Sequence, residues 1–186
     1  RRAGVSHQTV SRVINGSPDV LPETRQRVEA AVTELGYHPN EVARSLAEGR
    51  TRTLACISPN LIDYTFASVI EGAENEARAK GYFLLSASAP DEMVFDELIR
   101  SLVGSRRIDG LLVMNPYIDN RAVFIPENFP VVVLGAVARN LGMGWVALDD
   151  TGAGWVATQH LLRLGHRHLA CITGPLNEDC SQERLK

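Results

Sequence analysis

Four polar side chains near the start of the chain, His7, Gln8, Ser11 and Arg12, fall at offsets 0, +1, +4 and +5, which a 3.6-residue period gathers onto one helix face. Val10, Val13 and Ile14 share another face. The segment from His7 to about Ile14 therefore reads as a helix with one side to pack and one side to present. The presented set matches the chemistry of duplex DNA. A guanidinium pairs bidentately with guanine, a primary amide with adenine, and short hydroxyls reach phosphate, all from a helix that fits the major groove. A generic three-helix bundle gives the same pattern, because a face left to water is polar too. Amphipathicity alone favours that plainer account.

Three other patterns invite chemistry and fail on inspection. Gly152-Ala153-Gly154-Trp155-Val156-Ala157 fits the GxGxxA dinucleotide fingerprint, but Asp149 and Asp150 would set negative charge against a pyrophosphate. No acidic residue follows about 20 residues on at a strand end. His160, His166 and His168 are close in sequence, yet only His160 lies in a helix body, and no Cys or carboxylate stands beside them to complete a metal site. No Ser or Cys occupies a nucleophile elbow. The expectation is a protein that is not an enzyme and carries neither cofactor nor metal.

The elements that must position these residues come in two styles. Ala3-Gly4-Val5 is a turn, Ser6 an N-cap, and Asn15-Gly16 with Pro18 a stop. A second amphipathic helix runs from Pro22 to Leu35, with Val28, Ala31, Val32 and Leu35 inward and Gly36 as its C-terminal stop. Pro39-Asn40 then opens a helix of about two turns that ends at Gly49. It is too short to be stable alone, so it folds only where something supports it. A flexible linker helix packed on its own domain is the alternative.

From Thr53 the period changes. Leu54–Ile57, Tyr82–Leu85, Gly110–Met114, Val131–Leu134 and Leu169–Ile172 are short apolar runs, as expected of strands buried on both faces. Helical patterns over Ala67–Lys80, Asp91–Arg106 and Gly152–Leu164 supply crossovers, giving a parallel, Rossmann-like α/β sheet. Ligands of such sheets sit beyond the C-terminal strand ends. The loops there hold Asp63, Tyr64 and Phe66, then Asn115 and Tyr117, then Asp149 and Asp150 after Trp145–Leu148. Hydrogen-bonding groups mixed with aromatic faces suit a small polar ligand such as a sugar. Ordinary loop polarity and capping remain alternatives at each position, and Asp150 could cap the helix beginning near Gly152.

Composition bounds these readings. The chain has 186 residues, 45% hydrophobic and 22% charged, enough for one good core and a small satellite domain. Residues 1–52 carry 8 Lys/Arg against 6 Asp/Glu, and residues 53–186 carry 11 against 16. That split of +2 and −5 is weak evidence for nucleic acid by itself. No apolar run has membrane-span length and no signal core opens the sequence. Cys56 and Cys171 lie in apolar runs where a thiol packs as a small hydrophobe, and Cys180 completes no CxxC. A reducing cytoplasm is expected, without membrane attachment. With no initiator Met, and with Arg184-Leu185-Lys186 stopping inside an apparent helix, the chain reads as a fragment.

Ala3-Gly4-Val5-Ser6-His7-Gln8-Thr9-Val10-Ser11-Arg12-Val13-Ile14-Asn15-Gly16 resembles the signature of the LacI/GalR family of transcriptional regulators. Thr24–Val28, Leu35-Gly36-Tyr37-His38-Pro39-Asn40 and Gly165-His166-Arg167 agree with it. The resemblance implies an all-α helix-turn-helix headpiece at 1–38 and a hinge helix and linker at 39–52. It implies the first lobe of a periplasmic-binding-protein-like effector domain at 53–174 and the start of a second lobe at 175–186. By position it implies that His7, Gln8 and Arg12 face base edges and that Ser6, Thr9, Ser11 and Asn15 hold phosphates. Asn40, Ala43 and Leu46 would face the minor groove, with Leu46 wedged between base pairs. Phe66, Asn115, Asp149 or Asp150, and Arg184 would face a small effector, alongside Tyr64 from the strand-end reading. The implied protein is a nucleoid-associated bacterial repressor. It acts as a homodimer, with pairing into tetramers left open, on a palindromic operator under control of a sugar-like effector. A periplasmic-type sugar-binding protein shares the α/β half but would not carry residues 1–50. One departure stands out: the family usually has Ser or Thr where Leu21 caps the second helix, and losing such a cap costs about 1 kcal/mol.

Overall fold

The computed structural model describes residues 2–37, 45, 49–135 and 142–186, in two compact units, Arg1–Gly49 and Arg50–Lys186. In the first unit α1 spans His7–Ile14 and α2 spans Pro22–Glu34. Ser6 caps α1 by accepting the Thr9 N–H on its Oγ at 3.3 Å. The helix closes with bonds from Ser17 N to Arg12 O and from Gly16 N to Val13 O, and Gly16 takes a φ of +71° that a side chain would strain. α2 begins with Pro22 at its first position, and Leu21 offers no side-chain cap. Val13 and Val28 form the buried centre, and the Arg25 guanidinium donates to Ser17 O at 2.6 Å across the turn. Leu35, expected inward, is 64% exposed. It follows the last turn of a 13-residue helix whose described packing partner is only 8 residues long, so its end is left uncovered.

The second unit is a parallel sheet in the order β2-β1-β3-β4-β5. Its strands are β1 (Thr53–Ser58), β2 (Phe83–Ser88), β3 (Gly110–Met114), β4 (Val131–Leu134) and β5 (Gly144–Val146). Helices α3 (Tyr64–Ala79), α4 (Glu92–Leu102), α5 (Asp150–Arg163) and α6 (Asp179–Glu183) follow in chain order, with a 3-10 turn at Arg121–Phe124. The pleat directs alternate residues to one face, where Ile57, Val113 and Val133 line up across three strands and pack with Phe95, Ile99 and Leu102 of α4. Phe95 is fully buried at the centre of this cluster.

Burial on both faces holds for β1 and β3 only. β2 and β5 are the sheet edges, and Phe83, Leu85, Trp145 and Val146 are exposed there. Leu169–Ile172, expected as a strand, has no regular structure, and Leu169, Cys171 and Ile172 lie in the open. A strand exists only through a neighbour's hydrogen bonds, and among the described residues no strand pairs with it. Cys171 therefore does not pack as a small hydrophobe. Cys56 does: it is buried in β1, and burial pushes its thiol up to about 11.

Candidate nucleic-acid interface and ligand-facing loops

α1 turns its face outward as its spacing dictates. His7, Gln8 and Arg12 are exposed while Val13 is buried beneath them. The short polar residues around them are ordered by bonds within the helix. Ser6 and Thr9 hydroxyls lie 3.0 Å apart, and Asn15 Nδ2 donates to Ser11 Oγ at 3.4 Å. One proton of the Ser6–Thr9 pair is committed inside the helix, which leaves the other for an outside acceptor such as phosphate. Arg12, in the last turn, adds the positive charge. Asn40, Ala43 and Leu46 lie outside the described residues.

The second group of candidates collects at the C-terminal ends of the strands. After β1, Asn60 Oδ1 accepts the Ile62 and Asp63 N–H groups, and Asp63 Oδ1 caps α3 through Thr65 N at 2.8 Å. Asp63 is thereby a structural cap. It leaves Tyr64 86% exposed at the helix start, with Phe66 half-buried two residues further on. After β3, Asn115 is buried with both ends of its amide in use: Nδ2 donates to Asp119 Oδ1 at 3.0 Å, and Oδ1 accepts from Tyr117 N at 3.1 Å.

Behind Asn115 stands an arginine that the sequence reading passed over. Arg121 is buried, donates to Ala89 O at 3.1 Å and Pro90 O at 3.2 Å, and lies over the Tyr117 ring at 5.1 Å. Its Nε sits 2.9 Å from Asp119 Oδ2 as an ion pair rather than a well-directed hydrogen bond. A buried guanidinium needs such partners to offset its lost hydration. Arg121 and Asp119 thus fasten the β3 loop to the β2–α4 loop and set the plane of Asn115. Nothing in the local sequence marks this Arg as buried.

After β5, Asp149 rather than Asp150 caps α5, accepting from Gly152 N at 2.9 Å. Asp150 opens the helix, is 7% exposed, and pairs with Arg184 Nε at 2.7 Å. Two residues proposed separately to face a ligand are therefore joined to each other. α6 reaches this position because two glycines allow close approach. A Cβ on Gly154 would come within 2.4 Å of Arg184 O, and one on Gly135 within 2.3 Å of Asn115 O and 3.1 Å of Asp179 Oδ2. The second glycine of the apparent dinucleotide fingerprint thus serves helix packing. α6 is pinned to the β3 loop by Asp179 N donating to Pro116 O at 2.8 Å and by a bridge between Tyr117 and Glu178. Buried Asp179 and Ser181 complete a polar cluster that the sequence reading missed.

With this geometry established, similarity to known proteins divides along the same lines. Residues 1–40 match the family model of bacterial regulatory proteins of the lacI family, and residues 51–186 match the model of periplasmic binding proteins and the sugar binding domain of the LacI family. The HTH-type transcriptional repressor PurR of Erwinia tasmaniensis is 36% identical over 183 residues, covering 96% of this chain and 54% of that protein. Catabolite control protein A of Priestia megaterium is 33% identical over 181 residues, covering 96% and 54%. The chain spans about half the length of the curated relatives it matches. Among solved structures, the lac repressor dimer bound to operator and the anti-inducer ONPF aligns with a TM-score of 0.87 at 27% identity, over 99% of this chain and 57% of that one. The transcriptional regulator CelR in complex with cellobiose aligns at 0.62 with 33% identity, over 99% and 56%.

Proposed function

Because the chain belongs to the lacI family of bacterial regulatory proteins, we propose that it is the DNA-reading and effector-sensing part of a transcriptional repressor. The protein acts by binding and coupling, not by catalysis. His7, Gln8 and Arg12 read base edges in the major groove, and Ser6, Thr9, Ser11 and Asn15 hold phosphates. Asn40, Ala43 and Leu46 form a hinge in the minor groove. The observation that carries this reading is α1 itself: a capped helix with a buried Val13 on one side and an exposed Gln8 and Arg12 on the other.

The α/β unit takes a small polar effector of sugar type at its C-terminal strand ends, where Tyr64, Phe66, Asn115, Asp150 and Arg184 lie. The Asp150–Arg184 pair offers a carboxylate acceptor and a guanidinium donor side by side, which suits a hydroxyl-rich ligand able to do both. Asp149 supports this site as the cap of α5. The working form is a cytoplasmic homodimer on a palindromic operator, because a two-fold protein reads a two-fold site.

Selection of bound duplexes from a random pool by the full-length protein, followed by footprinting at stated salt, tests the reading. A protected palindrome is expected. If no sequence is enriched over the starting pool, the protein is not a sequence-specific regulator.

A further inference from the structure

Arg50 opens the α/β unit and β1 starts at Thr53, so residues 50–52 are the stretch by which the chain enters the sheet. One side chain fastens that stretch. Asp109, the residue before β3, accepts Thr51 N at 2.8 Å and Thr51 Oγ1 at 2.9 Å on Oδ1, and Arg52 N at 2.8 Å on Oδ2. The backbone closes the arrangement, with Asp109 N donating to Thr53 O at 2.8 Å and Phe83 N donating to Arg52 O at 2.8 Å. The entering chain is therefore held between the starts of β2 and β3. Arg52 takes a φ of +52° there, a left-handed conformation that a residue with a side chain keeps only where its surroundings over-determine it. Burial pushes the Asp109 carboxyl up, but the bonds from Thr51 and Arg52 and the charge of Arg50 outweigh it and leave the group below its ordinary value.

We propose that Asp109 is a positioning residue: by clamping Thr51 and Arg52 to the sheet, it fixes the direction in which the linker leaves the effector unit and so sets the spacing of the two headpieces in the dimer. The inference rests on the regulator reading above. The clamp grips the last two residues of the linker, Thr51 and Arg52, and Asp109 is covalently continuous with β3, whose far end carries Asn115. A shift of β3 against β1 would reach the linker through this carboxylate. If Asp109 only stabilised the fold, its loss would weaken binding to every duplex in proportion to the protein unfolded.

The test uses full-length protein and the palindrome that the wild type selects, alongside versions with one or two base pairs inserted at the centre, at fixed salt. In Asp109→Asn an amide donor replaces one acceptor oxygen and the charge is lost, while the shape is kept. The wild type should discriminate sharply between spacings. Asp109→Asn should narrow that ratio by about fivefold or more, Thr51→Val should narrow it less, and Thr51→Ser should restore it. Affinity for a scrambled duplex should not change. A ratio equal to wild type in Asp109→Asn, or an equal loss on all duplexes, overturns the proposal. Should Asp109→Asn show no cooperative melting, the same ratio for Thr51→Val and Thr51→Ser decides. Failure of the wild type to select any duplex removes the regulator reading, and the proposal with it. Selection followed by an unchanged ratio removes the proposal alone.

Discussion

At the scale of single residues, binding and folding are separable, because the side chains assigned to base edges do not support the core. Gln8 and Arg12 are exposed, and Val13 and Val28 are buried without them. Gln8→Ala and Arg12→Ala should each weaken the selected duplex by about 1–3 kcal/mol, roughly five- to 150-fold, and leave the melting temperature unchanged. Equal losses on a scrambled duplex would assign both residues to phosphates instead. Substitutions at His7 should change which operator is preferred more than how tightly it is held. Leu21→Ser tests the missing cap. The backbone at Leu21 is already extended, with φ −54° and ψ 141°, so a hydroxyl there can reach the first free amides of α2. The headpiece should gain about 1 kcal/mol in denaturant unfolding. Asp109 gives a pH signature. Its folded pKa lies below the ordinary 3.8, so its contribution is full above that value and is lost as pH falls through the folded pKa. The urea midpoint of the protein should drop at acid pH, and Asp109→Asn should flatten that part of the curve.

At the scale of elements, the sequence was most informative where local rules and tertiary context agree. Ser6, Gly16, Pro22 and Gly36 are stop and start signals that act within a few residues, and α1 and α2 begin where those signals put them. β1, β3 and β4 were visible as unbroken apolar runs because neighbouring strands and α4 cover them. The same apolar signal misled at Leu169–Ile172, because a run of apolar residues reports a preference for burial and not the presence of a partner strand. In the strand-end loops, the placement of Tyr64, Asn115 and Asp150 was legible from the apolar runs that precede them. The partners were not, since the pairing of Asp150 with Arg184 joins residues 34 apart and depends on the close approach that Gly154 allows. Arg121 was illegible for the same reason: a buried arginine and an exposed one look alike in sequence until Ala89 O and Pro90 O are seen to receive it. The hinge, residues 39–52, carries its own test. A segment this short does not hold a helix by itself in water, so under the proposed reading its ordering should depend on Leu46 meeting the minor groove. Leu46→Ala should weaken the selected duplex several-fold, with little effect on a duplex bound nonspecifically. Footprints of unchanged strength at fixed salt would count against the wedge.

At the scale of the whole molecule, two units of different architecture must exchange free energy if the protein is a regulator. A ligand shifts an equilibrium only by its differential affinity for the two states. Linkage makes the exchange reciprocal: whatever factor an effector imposes on duplex affinity, the duplex must impose on effector affinity. A thermal-shift screen of the full-length protein against sugars and purines supplies the ligand, because one that binds only the folded state at about a hundred times its dissociation constant adds about 2.7 kcal/mol of stability. Calorimetric titration of that ligand, with and without the selected duplex, should then give two dissociation constants. Their ratio should equal the ratio of duplex affinities measured with and without ligand. A ligand that releases the duplex and one that strengthens its binding satisfy the same equality, with factors on opposite sides of unity. Were both ratios equal to one while ligand and duplex each bind tightly, the α/β unit would be a sensor with no line to the headpiece. The clamp at Asp109 would then be holding an exit that carries no signal.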